Sequence, residues 1–185
     1  MAMQLRGGNQ LLDAVKILEQ GGIKDGYVVA DLGCGTSGHF VFPAAHLVGP
    51  KGKVYAVDVL KPVLQAIESR TRLEGVDNVE AVWSDLERAG GLKIAAGSVD
   101  LTLLLNILAL VKDKVTVLRE AARVTKPQGT LVVSDWKSGH SPLGPPPEKR
   151  LVPEELKRIV QSAGFEFVRE FEAGQYHFGI VFKKI

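Results

Sequence analysis

Short apolar runs separated by helical or mixed stretches fill most of this 185-residue chain, and they limit the possible fold more than any other feature. Valine-rich runs of this kind occupy residues 27–32, 53–60, 78–83, 99–108 and 129–135. A strand with a nearly continuous apolar run is buried on both faces, which requires helices on both sides of a mostly parallel sheet. The sequence therefore predicts a doubly wound α/β fold.

The two ends of the chain add a helix and a hairpin to this pattern. Residues 10–20 have apolar side chains at helical spacing and precede two glycines, so they predict an opening helix within an N-terminal extension, residues 1–25. Residues 152–164 predict a last helix, and 165–173 and 176–184 predict a closing antiparallel hairpin. Because the sequence contains no linker or internal repeat, we expect one domain with seven strands.

The composition narrows the classes of protein. Hydrophobic residues make up 45% and charged residues 24% of the chain, and the formal net charge is +2, so nucleic acid is not implied as a partner. The single cysteine, Cys34, cannot form an internal disulfide, and no spacing of His, Cys or Glu predicts a metal site. No stretch approaches the roughly 20 apolar residues that span a bilayer. These features predict a cytoplasmic protein without a membrane span.

The turn after the first apolar run contains Gly33, Gly35 and Gly38 within six positions. Closely spaced glycines let a ligand touch the backbone, and the free N–H groups at the following helix start attract an anion or carboxylate. The spacing also matches the dinucleotide fingerprint, with Asp58 where that motif has its ribose-binding acid. Asp31 argues against a nicotinamide dinucleotide, because its carboxylate would repel a pyrophosphate and suits a cationic ligand.

The stretch Asp31-Leu-Gly-Cys-Gly-Thr resembles the first motif of class I S-adenosylmethionine-dependent methyltransferases, and the resemblance covers nearly the whole chain. The strand ends match that family in order through Asp58, Asp85, Asn106 and the GTLVVSD strand after a Lys-Pro-x-Gly turn. The final strands look most like the small-molecule enzymes related to ubiquinone and menaquinone biosynthesis. The resemblance implies a Rossmann-like fold, S-adenosylmethionine as cofactor, and in-line methyl transfer to a small molecule.

The resemblance also implies a role for each matched residue. Asp58 would accept hydrogen bonds from both ribose hydroxyls, Asp85 would accept one from the adenine amino group, and Asp31 would orient the ammonium group of the cofactor. Asn106 would lie where the cofactor meets the acceptor. The cofactor-binding positions implied in this way are Asp31, Gly33, Cys34, Gly35, Asp58, Val59, Ser84, Asp85, Leu86 and Asn106.

Several of these positions also have a purely structural interpretation. Ser84 or Asp85 can cap the segment that follows, and Asn106 can simply end its strand. The family has glycine at the position of Ser37, whereas this chain has it at Gly38. We therefore leave Ser37 and Gly38 out of the predicted cofactor site.

Methyl transfer from a sulfonium mainly needs alignment of the acceptor, methyl and sulfur, so a general base is not obligatory. A base would help an acceptor that is a hydroxyl or an acidic carbon, and His140, in the loop after the fifth strand, is the candidate catalytic residue. Trp136 either forms a wall of the acceptor pocket or packs in the core. Strand alternation predicts that His177 lies on a half-buried face of the final hairpin.

Two other functions fit the same residues. The glycine fingerprint and Asp58 are also compatible with an NAD(P)-binding oxidoreductase, although that class predicts neither Asp31 nor the C-terminal hairpin. A non-catalytic partner subunit that binds S-adenosylmethionine is the second alternative, because different residues build the cofactor and acceptor sites.

Overall fold

A computed structural model describes residues 11–139 and 143–185 and confirms the α/β fold with a seven-stranded sheet. Within these residues the helices are α1 (Ala14–Gln20), α2 (Val41–Val48), α3 (Lys61–Glu74), α4 (Lys114–Val124) and α5 (Pro153–Ser162). The strands are β1 (Val28–Leu32), β2 (Lys53–Asp58), β3 (Val79–Trp83), β4 (Val99–Leu105), β5 (Thr125–Trp136), β6 (Phe165–Gly174) and β7 (His177–Lys184).

The strand order across the sheet is β3-β2-β1-β4-β5-β7-β6. The first five strands are parallel, whereas β7 lies antiparallel between β5 and β6. The chain winds outward from β1 in one direction through β2 and β3, and then in the other direction from β4. In open α/β sheets, ligands bind beyond the carboxyl ends of the strands at this point of reversal, between β1 and β4.

Both faces of the sheet are buried, as the apolar runs predict. In β4, Leu101 and Leu103 pack with the cluster under α1, α2 and α3, while Leu104 packs with the cluster under α4 and α5. This two-sided burial explains why apolar residues follow one another without a break in the second half of the strand, residues 103–105. Among the described residues, no helix has the length and apolar character needed to cross a membrane.

Two elements begin four residues away from the sequence expectation. Helix α1 begins at Ala14 rather than at residue 10, because the Asp13 carboxylate accepts a hydrogen bond from the Lys16 N–H at 3.0 Å and caps the helix there. Residues 1–10 of the predicted extension lie outside the described residues. Strand β5 begins at Thr125 instead of residue 129, and its register with β4 is irregular around Gln128, which has a φ of 62°.

His177 is completely buried, so the prediction of a half-buried surface position is wrong. Its strand, β7, has a neighbour on each side, and the imidazole packs against the indole of Trp136 with ring centroids 4.2 Å apart. Alternation identifies which face of the sheet a side chain is on, but burial depends on whether its strand is central.

Candidate cofactor site

A cleft of about 90 Å³ opens at the carboxyl edge of the sheet, next to the point where the strand order reverses. The residues that line it are Gly33, Asp58, Val59, Ser84, Asp85, Leu86, Glu87, Ile107 and Val111. The first six of these are predicted cofactor-binding positions, so folding brings together residues from three strand ends. A larger hollow of about 880 Å³ lies at the opposite edge, along residues 49–53 and 74–80, and contains none of the predicted site residues.

The glycine turn presents bare backbone beside this cleft. The N–H groups of Gly33 and Cys34 both donate to the carbonyl of Val57, at 2.8 and 3.0 Å, which ties the turn to β2. Gly35 has a φ of 66°, and no atom lies within 4 Å of the place where a side chain would start. Its peptide therefore faces open space that a ligand can occupy.

Gly33 and Gly38 differ from Gly35 in being closely packed. A β-carbon at Gly33 would lie 2.6 Å from the side chain of Ile107, and Gly38 is crowded in the same way. A β-carbon at Gly38 would lie 2.6 Å from the ring of Phe42 and 2.8 Å from the side chain of Ile67. Glycine here lets the turn pack closely against α2 and α3, so the third glycine of the fingerprint serves packing in this chain.

Asp58 is fixed at the mouth of the cleft by two backbone donors. Its Oδ2 accepts a hydrogen bond from the Gly35 N–H at 3.3 Å, and its Oδ1 accepts one from the Leu60 N–H at 2.9 Å. Each carboxylate oxygen has capacity for a further hydrogen bond. The carboxylate is therefore held in one orientation and can still accept two donors from a ligand.

Asp31 is the most unusual residue of the site. Its side chain is 1% exposed, and Oδ2 is buried without a hydrogen-bond partner among the residues that the structure describes. Burial, and secondly the charge of Asp58, raise the pKa of Asp31 to about 7. A buried carboxylate without a partner is costly. A cationic ligand group would satisfy it, so the residue fits the ammonium group that the resemblance assigns to it.

Three other predicted positions have side chains that already contact other parts of the chain. The Cys34 thiol points into the apolar cluster under α2, where burial and the nearby Asp31 and Asp58 raise its pKa. The Ser84 hydroxyl accepts a hydrogen bond from the Lys93 N–H at 3.1 Å. The Asp85 carboxylate accepts one from the Glu87 N–H at 3.0 Å, so it caps a local turn and also lines the cleft.

Asn106 lies directly after β4 and has a left-handed backbone with a φ of 58°. Its N–H donates to the Ser134 carbonyl at 2.8 Å, which holds the start of the next loop against β5. That loop carries Ile107 and Val111 over the cleft, two lining residues that the sequence analysis missed. Their side chains are apolar like those of the core, so nothing in the sequence distinguished them.

His140 lies outside the described residues, and its catalytic role stays a prediction. Within residues 11–139 and 143–185, no group of three or more His, Cys, Asp or Glu side chains is placed to hold a metal ion.

The comparisons with known proteins agree on one family. Residues 23–169 match a family described as a methyltransferase domain. The structure superposes on a SAM-dependent methyltransferase from Aquifex aeolicus with a TM-score of 0.87 and 30% identity, covering 96% of this chain and 93% of the other.

Two curated relatives match over shorter stretches. An arsenite methyltransferase from Aquipseudomonas alcaligenes is 36% identical over 60% of this chain and 33% of its own length. A demethylmenaquinone methyltransferase from Geobacillus stearothermophilus is 32% identical over 63% of this chain and 48% of its own length. The matched part of the chain thus spans a third to a half of these relatives. The chain belongs to the S-adenosylmethionine-dependent methyltransferases, and S-adenosylmethionine is its cofactor.

Proposed function

We propose that this chain transfers the methyl group of S-adenosylmethionine to a small-molecule acceptor. The observation that carries the proposal is the buried Asp31 carboxylate, whose Oδ2 has no partner among the described residues and suits a cationic ligand. The same carboxylate disfavours the pyrophosphate of a nicotinamide dinucleotide. The curated relatives add support, because those two names refer to small acceptors, arsenite and demethylmenaquinone.

The family resemblance implies the proposed roles, and the positions of the acids support them. Asp31 would hold the ammonium group, Asp58 the two ribose hydroxyls and Asp85 the adenine amino group, while Gly35 offers bare backbone between them. The bound cofactor supplies a methyl group on a positively charged sulfur, which is already a strong electrophile. The protein then has to orient the acceptor and exclude water. His140 stays a predicted base, and the cytoplasmic location and the residue 1–25 extension also stay predictions.

Calorimetry with S-adenosylhomocysteine and with NADH tests the cofactor assignment on the purified chain. We expect saturable binding of S-adenosylhomocysteine and no binding of NADH. The reverse result would favour the oxidoreductase alternative. Release of labelled methyl groups to a panel of small acceptors then tests turnover. A chain that binds the cofactor tightly and transfers no methyl group to any of them would favour the partner-subunit alternative.

Binding of S-adenosylhomocysteine should strengthen with pH in the wild-type protein. Only the ionised form of Asp31 attracts an ammonium group, and its pKa is about 7 in the ligand-free protein. Below that pKa the ionised fraction falls about tenfold per pH unit, so affinity should rise about tenfold per unit up to about pH 7 and then level off. Calorimetry between about pH 5.5 and 8, in two buffers of different ionisation enthalpy, measures both the affinity and the proton released.

Asp31→Asn is the matched control, because the amide has the same shape and does not titrate in this range. The affinity of this variant for S-adenosylhomocysteine should no longer rise with pH. Asp135, whose burial raises its pKa to about 6, still titrates in the variant, so a loss of the rise is due to Asp31. The raised pKa of Asp31 also means that its contribution to stability is present at low pH and lost as pH rises through about 7. Asp31→Asn should therefore raise the Tm of the ligand-free protein at about pH 8. An affinity of wild type that is independent of pH would contradict the proposed contact.

A further inference from the structure

His177 has the clearest unmet hydrogen-bonding capacity outside the cofactor cleft. Its side chain is 0% exposed, and neither Nδ1 nor Nε2 has a hydrogen-bond partner within the described part of the chain. An imidazole always carries at least one N–H donor, and when neutral it also carries one acceptor. Leaving both groups unpaired in the interior is costly, so the position would favour an apolar ring if packing were its only purpose.

The imidazole packs against Trp136 and lies close to the segment that leads into α1. The ring centroids of His177 and Trp136, in β5, are 4.2 Å apart. A β-carbon at Gly174 would lie 4.0 Å from His177 Nδ1 and 3.2 Å from the carbonyl oxygen of Leu11. The next carbonyl, that of Leu12, accepts a hydrogen bond from His39 Nε2 at 2.8 Å. Residues 11–13 therefore form a strap from the glycine turn to the final hairpin.

His177 lies at the same edge of the sheet as the acidic residues of the cofactor site. Asp85 follows β3, Asp58 is the last residue of β2 and Asp31 is the last but one of β1. Further along the same edge come β4, β5 and then β7.

Asp31 is level with Val132, through Leu103. His177 pairs instead with Trp136, four residues further along β5. Three strand spacings of about 4.8 Å and four residues of about 3.3 Å therefore place His177 roughly 20 Å from Asp31, on the side of the sheet edge away from the predicted adenine position. This is the half of the edge that the predicted cofactor contacts leave free.

We propose that His177 is a specificity-determining residue for the methyl acceptor. Its imidazole hydrogen-bonds to an uncharged hydroxyl at the apolar end of the acceptor, far from the methyl group, and the acceptor displaces the strap of residues 11–13 when it binds. This inference rests on the proposed function, because it assumes that an acceptor binds beside the cofactor. The residue acts on binding of the acceptor and does not touch the methyl group.

The charges around His177 favour an uncharged partner. Burial and then the nearby Lys137 lower the pKa of His177 to about 4, so the ring is neutral near pH 7 and offers no charge to an anion. Lys137 itself pairs with Glu172 across the hairpin, at 2.6 Å between Nζ and Oε2. Trp136 supplies apolar surface against the imidazole, and the buried Leu12 lies beside Gly174, close to the same ring.

Phenol and toluene form a matched pair of probes, because they have nearly the same shape and differ in one hydroxyl group. Both are titrated into the full chain saturated with S-adenosylhomocysteine, and NMR follows the indole N–H signal of Trp136. Comparison with Trp83→Phe identifies that signal, because the chain has two tryptophans. We expect wild type to bind phenol about three- to tenfold more tightly than toluene, the range of one net hydrogen bond.

His177→Phe should abolish this preference while S-adenosylhomocysteine binds as in wild type. It should also raise the Tm by about 2–4 °C, because two unpaired buried nitrogens are removed. His177→Gln should retain part of the preference, since its amide can replace one hydrogen bond. The proposal is overturned if phenol leaves the Trp136 signal of wild type unchanged, or if the preference is the same in wild type and His177→Phe. Failure of S-adenosylhomocysteine to bind wild type would instead count against the proposed function.

Discussion

Asp58→Ala is expected to weaken binding of S-adenosylhomocysteine by at least about a hundredfold. Under the proposed function, the Asp58 carboxylate accepts hydrogen bonds from both ribose hydroxyls, and each charge-assisted bond contributes about 1.5–3 kcal/mol. The loss is large because Gly35 and Leu60 hold the carboxylate in place, so little ordering is needed on binding. Isothermal titration calorimetry of the wild-type and variant chains measures the change.

Asp77→Ala is the control for the loss of one carboxylate. Asp77 is exposed in the hollow at the opposite edge of the sheet, so its removal should leave the affinity for S-adenosylhomocysteine unchanged. Asp58→Asn should lie between Asp58→Ala and wild type, because one acceptor oxygen remains without the charge. Equal affinities of wild type and Asp58→Ala would reject the ribose contact.

Glu120→Ala is expected to lower the free energy of unfolding by about 2–4 kcal/mol, chiefly because backbone donors are left without an acceptor. The Glu120 side chain is 6% exposed and pairs with Arg123 at 2.9 Å. It also accepts hydrogen bonds from the N–H groups of Gly90 and Leu92, at 3.0 and 3.1 Å. Its removal leaves the guanidinium without its carboxylate and two backbone donors without their acceptor. Urea unfolding followed by circular dichroism measures the loss.

Glu74→Ala is the matched control, because Glu74 also pairs with an arginine one turn away on its helix. The pair of Arg70 and Glu74 is partly exposed, at 44% and 34% of the side chains, and such pairs contribute at most about 1 kcal/mol. A loss for Glu120→Ala no larger than that for Glu74→Ala would show that the loop after β3 is held by other contacts.

The fold could be predicted because local pattern and long-range packing agree in most elements. The largely apolar residues 99–105 form a strand that is buried on both faces, as the pattern predicts. The acids of the site were predictable for a related reason. Parallel strands end at the same edge of a sheet, so Asp58 and Asp85 had to approach each other once their strands were assigned.

The remaining features depend on tertiary contacts that leave no local signal. Ile107 and Val111 line the cleft, yet an apolar side chain on a cleft wall has the same pattern as one in the core. The burial of His177 follows from the central position of β7, which alternation along one strand cannot give. The start of α1 shifted because the capping carboxylate of Asp13 outweighs the apolar periodicity before it.

The placement of β7 between β5 and β6 has a consequence during synthesis of the protein. The strand that comes last along the described chain pairs with two others, so β5 keeps an open edge until residues 177–184 have left the ribosome. An open, apolar strand edge on a nascent chain can pair with another copy. Slow translation after β5 would lengthen that exposure, and chaperones that shield strand edges would then raise the yield of folded protein.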